Sequence, residues 1–180
     1  MSTTLQRLNA LPEDTFVAML GTIFEHSPWV AAAVAGRRPF ASVADLHRDM
    51  CDAVARSSSA HRVALIAAHP ELGAAMARKH QLSVESAGEQ AGAGLDRGDA
   101  PEAAELLALN ARYRARFGMP FVLAVRGYDR QGIIDNLRAR LSHSPQQENE
   151  ECLRQIFRIA RFRLDDLIAD AHGNARRPVD

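Results

Sequence analysis

Ser86, Glu89 and Gln90 stand at i, i+3 and i+4 in the stretch SVESAGEQAGAGL over 83–95, which puts a hydroxyl, a carboxylate and an amide on one helix face. Such a face can bind a polar ligand and help to move a proton. The stretch also carries Gly88, Gly92 and Gly94. Each costs a helix interior roughly 0.5–1 kcal/mol relative to alanine, so a close approach of another element, or a functional demand, is expected there. His69 stands before Pro70 at the end of an apolar run over 63–68. Proline disfavours helical geometry in the residue before it, so His69 marks a helix C-terminus, where the dipole favours the imidazolium. An ordinary imidazole pKa of about 6.5 suits proton transfer near neutrality, although a His-Pro pair also serves as a plain helix stop. In the last helix Arg163 falls in line with Cys152, Ile156, Ile159 and Leu167. An arginine facing inward needs an anion, either a carboxylate on a neighbouring helix or an oxygen of a small ligand.

Other chemistries lack their residues. The 7 histidines include no H-E-x-x-H and no pair at i, i+4, and the 2 cysteines, Cys51 and Cys152, form no C-x-x-C, so no metal set is expected. Both thiols read as reduced and buried. There is no G-x-S-x-G elbow, and Gly88 to Gly94 lie within a helix rather than after a strand, so neither a serine hydrolase nor a phosphate loop is indicated. Lys+Arg and Asp+Glu balance at 22 each, leaving no positive excess to attract nucleic acid or anionic lipid. Runs such as VAAAVA and PFVLAV are too short to span a bilayer, and the first ten residues lack the pattern of a signal peptide. A cytoplasmic location is expected.

The elements that must position these groups are helices. Leu11-Pro-Glu-Asp14 opens one through Phe16, Leu20, Ile23 and Phe24; Ser27-Pro28 starts a second that Gly36 ends; Ser42 caps a third through Leu46, Met50 and Val54. The run ending at His69 makes a fourth, and Ser83 is the expected cap of the helix that carries Glu89. Asp99-Ala-Pro-Glu102 opens a helix closed by Gly118 and Pro120, another lies near 131–141, and Ser144-Pro-Gln-Gln147 is a capping box for the longest, ending near Ala169. Pro120-Phe-Val-Leu-Ala-Val125 is apolar, with Gly127 behind it, and reads as a short buried extended piece. A lone strand leaves backbone groups to be satisfied by side chains, water or a ligand. The expectation is an all-α bundle of about eight helices with one extended segment near 120–126. It forms a single domain over 1–180, with its core at about 11–170 and short flexible termini.

With these elements in place, the chain resembles the 2-oxo-4-hydroxy-4-carboxy-5-ureidoimidazoline (OHCU) decarboxylases. The resemblance runs from Phe16 to about Leu167 through Phe24-Glu-His-Ser-Pro-Trp-Val30, Arg38-Pro-Phe40, His69-Pro-Glu-Leu72, Ser86-x-x-Glu89-Gln90, Asn110-x-x-Tyr113 and Phe117-Gly-Met-Pro-Phe-Val122. Met119 stands where many relatives carry another apolar or aromatic residue. The resemblance implies a cofactor-free helical homodimer, for which Trp29 and the 24–40 region offer apolar surface. It implies His69, Glu89 and Arg163 as catalytic residues, and Pro70, Ser86, Gln90, Phe121, Val122 and Arg126 as substrate-binding residues, with no metal.

The implied reaction is loss of CO2 from OHCU to give (S)-allantoin, the last step of urate oxidation. The departing carboxylate lies beside a ring imine, so the substrate supplies its own electron sink. The protein must hold the carboxylate out of the ring plane and protonate one face. His69 is the expected proton carrier, Glu89 orients it or a substrate N–H, Arg163 binds a substrate oxygen anion, and Ser86 and Gln90 fix the ureido and ring groups. Glu89 as the carbon acid, with His69 its electrostatic partner, is the alternative. Two other classes compete: a helical binding module in which Glu89 and Arg163 form a structural salt bridge, and a hydrolase of the preceding intermediate, 5-hydroxyisourate.

Overall fold

The computed structural model describes residues 3–72, 84–92 and 101–168. They form nine α-helices and no strand: α1 (Leu5–Asn9), α2 (Glu13–Leu20), α3 (Pro28–Ala35), α4 (Val43–Arg56), α5 (Ser59–Ala67), α6 (Val84–Gly92), α7 (Pro101–Phe117), α8 (Arg130–Arg140) and α9 (Pro145–Leu167). The one helix beyond expectation is α1, in a stretch that reads as a flexible terminus. Thr4 caps it, Leu8 is fully buried, and Thr3 N–H donates to Leu167 O at 2.9 Å.

The helix starts follow local chemistry. Ser42 Oγ accepts from Asp45 N–H at 3.0 Å and Ser58 Oγ from His61 N–H at 3.2 Å. At the start of α9, Gln147 N–H donates to Ser144 Oγ while Ser144 N–H donates to Gln147 Oε1, which is the reciprocal capping box. Ser27 occupies the N-cap of α3 but makes no side-chain cap hydrogen bond, so Pro28 in the first turn carries that helix start. Ser83, Gly94, Leu95 and Ala169 lie outside the described residues.

The chain divides into two compact units, Met1–Ser57 with Ile159–Asp180, and Ser58–Arg158. In the first, α2 packs on α3 and α3 on α4, burying Phe16, Leu20, Val30, Val34, Leu46, Met50 and Val54. Phe24 and Phe40 belong to this core and Trp29 is half-buried, which corrects the expectation of an apolar surface at 24–40. In the second unit α7 packs on α8, and the core is built from Leu65, Ile66, Leu106, Tyr113, Phe121, Ile133, Leu137, Cys152 and Ile156. Cys152 is buried as expected, whereas Cys51 is only half-buried.

The 120–125 segment is extended and buried, bounded by Gly118 (φ 70°) and Gly127 (φ 88°). Both sit in the left-handed region that side chains rarely adopt, so the chain can leave α7 and turn toward α8 abruptly.

Candidate active site

Within the Ser58–Arg158 unit, the end of α5 delivers His69. Its ring is buried, and Nδ1 lies 2.9 Å from Leu65 O. A carbonyl can only accept, so Nδ1 carries a proton and the ring is held in one orientation. The turn that follows is held from two helices. From α7, Asn110 Nδ2 donates to Leu72 O at 2.7 Å and Arg114 pairs with the Glu71 carboxylate at 3.0 Å. From α6, Gln90 Nε2 donates to Glu71 O at 3.4 Å. Pro70, within this turn, is half-buried.

The polar face of α6 turns inward as its spacing requires: Ser86 and Gln90 are buried and Glu89 half-buried, while Ala87, Gly88 and Ala91 are exposed. Gly88 does not serve close packing, because a Cβ placed on it would meet no atom within 4 Å. The structure offers no packing reason for a glycine at that position.

The backbone of the 120–125 segment answers part of the question a lone strand poses. Arg140 Nη1 donates to Val122 O at 2.6 Å, and Ala124 N–H donates to Gln155 Oε1 at 3.1 Å. Leu123 is 2% exposed and makes no hydrogen bond through N–H or C=O to any described residue. The Val122 carbonyl and the Ala124 amide are therefore held by protein, and the Leu123 groups between them are not held by any described residue. Arg126 is exposed at the turn beyond.

Behind this segment lies a polar cluster that the motif reading missed. Glu148 is fully buried; its Oε1 accepts from Arg140 Nε at 2.8 Å, from Arg140 Nη2 and from the Tyr113 hydroxyl, and its Oε2 from His143 Nδ1 at 2.7 Å. The Arg140 guanidinium also lies 4.6 Å from the centroid of the Phe121 ring. Burial pushes the Tyr113 hydroxyl and the Cys152 thiol above their ordinary pKa ranges, Arg140 partly offsetting the effect on both, so each stays protonated at neutrality. Asn110 Oδ1 is a further buried atom with no hydrogen-bond partner among the described residues.

Arg163 belongs to the other unit. It is buried, and Nη1 donates to Glu25 Oε2 at 2.9 Å and to Thr22 O at 3.1 Å. The anion that an inward arginine requires is thus at least in part Glu25, itself 2% exposed, on the turn after α2. His26 beside it adopts φ 48°, an uncommon conformation for a non-glycine residue. Among the described residues no three His, Cys, Asp or Glu side chains gather as a metal site, and no helix is long and apolar enough to cross a membrane.

These features define a helical protein whose buried histidine and inward polar helix face belong to the same unit as a buried extended segment. A family model described as OHCU decarboxylase matches residues 9–165, and the chain belongs to that family. It is 42% identical over 167 residues to the Uric acid degradation bifunctional protein PucL of Bacillus subtilis (strain 168), covering 93% of this chain and 33% of that protein. It is 38% identical over 161 residues to the 2-oxo-4-hydroxy-4-carboxy-5-ureidoimidazoline decarboxylase of Haloferax volcanii, covering 89% and 94%. A crystal structure of (S)-allantoin synthase aligns with a TM-score of 0.75 at 29% identity, covering 93% of this chain and 55% of that one. The chain therefore spans about a third of the bifunctional relative.

Proposed function

We propose that this protein is a cofactor-independent carboxy-lyase that converts OHCU to (S)-allantoin in the oxidation of urate. The observation that carries the reading is His69, buried and oriented by Leu65 O at 2.9 Å, an imidazole of the type that carries a proton near neutrality. The C–C bond to the carboxylate breaks, its electron pair enters the adjacent ring imine, CO2 departs, and one proton is delivered to a single face of the ring carbon. His69 carries that proton, and Glu89 orients it or a substrate N–H. Ser86 and Gln90 fix the ureido and ring groups, and Pro70 and Arg126 border them. Phe121 and Val122 border the substrate, a role carried by the family resemblance, while the Leu123 amide, which no described residue holds, offers a donor and an acceptor to the ring or ureido amide. Arg163 binds a substrate oxygen anion, a role carried by the family resemblance.

The proposal includes one domain over 1–180, a cytoplasmic location and a homodimer, the last resting on the family resemblance. Light scattering at twice the 19.7 kDa chain mass supports the dimer, and a monomer at micromolar concentration refutes it. The activity is tested with OHCU labelled with carbon-13 at the carboxylate. Labelled CO2 should appear in proportion to protein and persist with a chelator present, and His69→Ala should slow it by about 10²–10⁴ without loss of folding. Activity abolished by chelation and restored by one metal contradicts the cofactor-free mechanism.

A further inference from the structure

We infer that Arg140 and Gln155 are positioning residues for the extended segment: they fix one backbone edge of it and so aim the other at the ligand. The inference rests on the functional reading above and extends it to side chains that need not touch substrate. In an extended chain the peptide groups of successive residues point to opposite sides. The groups held by protein, Val122 C=O and Ala124 N–H, are spaced two apart and lie on one side, against Arg140 and Gln155. The groups of Phe121 and Leu123 therefore face the opposite side, and those of Leu123 make no hydrogen bond to any described residue.

Among the described residues no sheet partner sets the orientation of this segment, so its peptide planes depend on the side chains that grip it. Each of those is itself fixed. Arg140 is locked by the Glu148 carboxylate, to which Tyr113 also donates, and lies over the Phe121 ring. Gln155 Nε2 donates to Glu151 Oε1 at 2.6 Å, which settles the amide orientation and turns Oε1 toward Ala124 N–H. A loosened grip lets the 122–124 peptides rotate, which moves the Leu123 donor and acceptor without removing any substrate contact from the chemistry at His69.

The test is Gln155→Leu, which deletes the acceptor for Ala124 N–H without introducing a charge, beside the double variant Gln155→Glu with Glu151→Gln. The double variant exchanges the two side chains and keeps an acceptor for Ala124 N–H and a hydrogen bond between positions 151 and 155. With OHCU generated from urate, Gln155→Leu should raise KM about tenfold, with kcat within about threefold of the parent, and the double variant should recover KM to within about threefold. Arg140→Lys, which cannot hold both Glu148 and Val122 O with one fork, should raise KM in the same way. Unchanged KM in Gln155→Leu overturns the inference alone. A fall in kcat and melting temperature that the double variant does not repair reduces Gln155 to a structural residue and also overturns it. Racemic allantoin from the parent protein removes the functional reading itself, and this inference with it.

Discussion

Glu25→Gln separates the two roles open to Arg163. Glu25 and Arg163 are both buried and paired at 2.9 Å, so neutralising the carboxylate leaves a guanidinium in the core facing an amide and the Thr22 carbonyl. Removing one partner of such a pair costs about 3–5 kcal/mol, because the surviving charge remains desolvated. At about 2–4 °C per kcal/mol for a chain of this size, the melting temperature should fall by roughly 6–20 °C. Arg163→Met should cost a similar amount, leaving the buried Glu25 carboxylate without its guanidinium. Replacing both should return most of the stability, since two neutral side chains of similar volume carry no ionic desolvation. The assay is guanidinium unfolding followed by the fluorescence of Trp29, the single tryptophan, which is half-buried in the same unit. Single variants that each cost less than about 1 kcal/mol, or that add without coupling, refute the argument. Activity then assigns the role: if Arg163 touches substrate, the restabilised double variant stays inactive, whereas recovered turnover makes the arginine a brace.

Alkaline pH should weaken the fold. Burial, with the Asp52 charge adding to it, pushes the Cys51 thiol up to about 12, and burial likewise raises Cys152 and Tyr113. The unfolded chain therefore releases these protons first, so the stability they contribute is full below about pH 9 and is lost as pH climbs through the folded values. The guanidinium midpoint should decline between pH 9 and 11, and a flat midpoint there contradicts the burial argument. At Gly88, where a Cβ meets open space and no positive φ opposes it, Gly88→Ala should stabilise the protein by about 0.5–1 kcal/mol with activity retained. A loss of activity would show that the glycine serves something other than packing.

The helical fold was legible because apolar residues recur at helical spacing and because Ser42 and the Ser144–Gln147 box mark their helix starts chemically. Helix α1 was not: five residues with a single buried Leu8 carry no period, and what holds them is contact made far along the chain. The extended segment could be read from Pro120, Gly127 and its apolar run, but the side chains that hold it could not be read that way. Arg163 stood out by lying in line with apolar residues, and its partner did not, because Glu25 is 138 positions away. The same alignment test picks out more than was noticed. Arg140 follows Ile133 and Leu137 at i+7 and i+3, and Glu148 and Gln155 continue the stripe of Cys152 and Ile159 on α9. All three prove buried and joined to the extended segment directly or through Arg140, so an ionic or amide group inside an apolar stripe was the signal available. The glycines of α6 misled in the opposite sense, since a costly residue at Gly88 suggested a close neighbour that is absent there.

The most direct measurement of the central claim is circular dichroism of the allantoin formed when OHCU is generated from urate in the presence of this protein. OHCU decays unaided, so faster loss of substrate decides little, whereas the handedness of the product reports protonation on one face within a chiral site. The account predicts (S)-allantoin as a single enantiomer, at a rate proportional to protein and without added metal or organic cofactor. A racemate appearing at the spontaneous rate would contradict it.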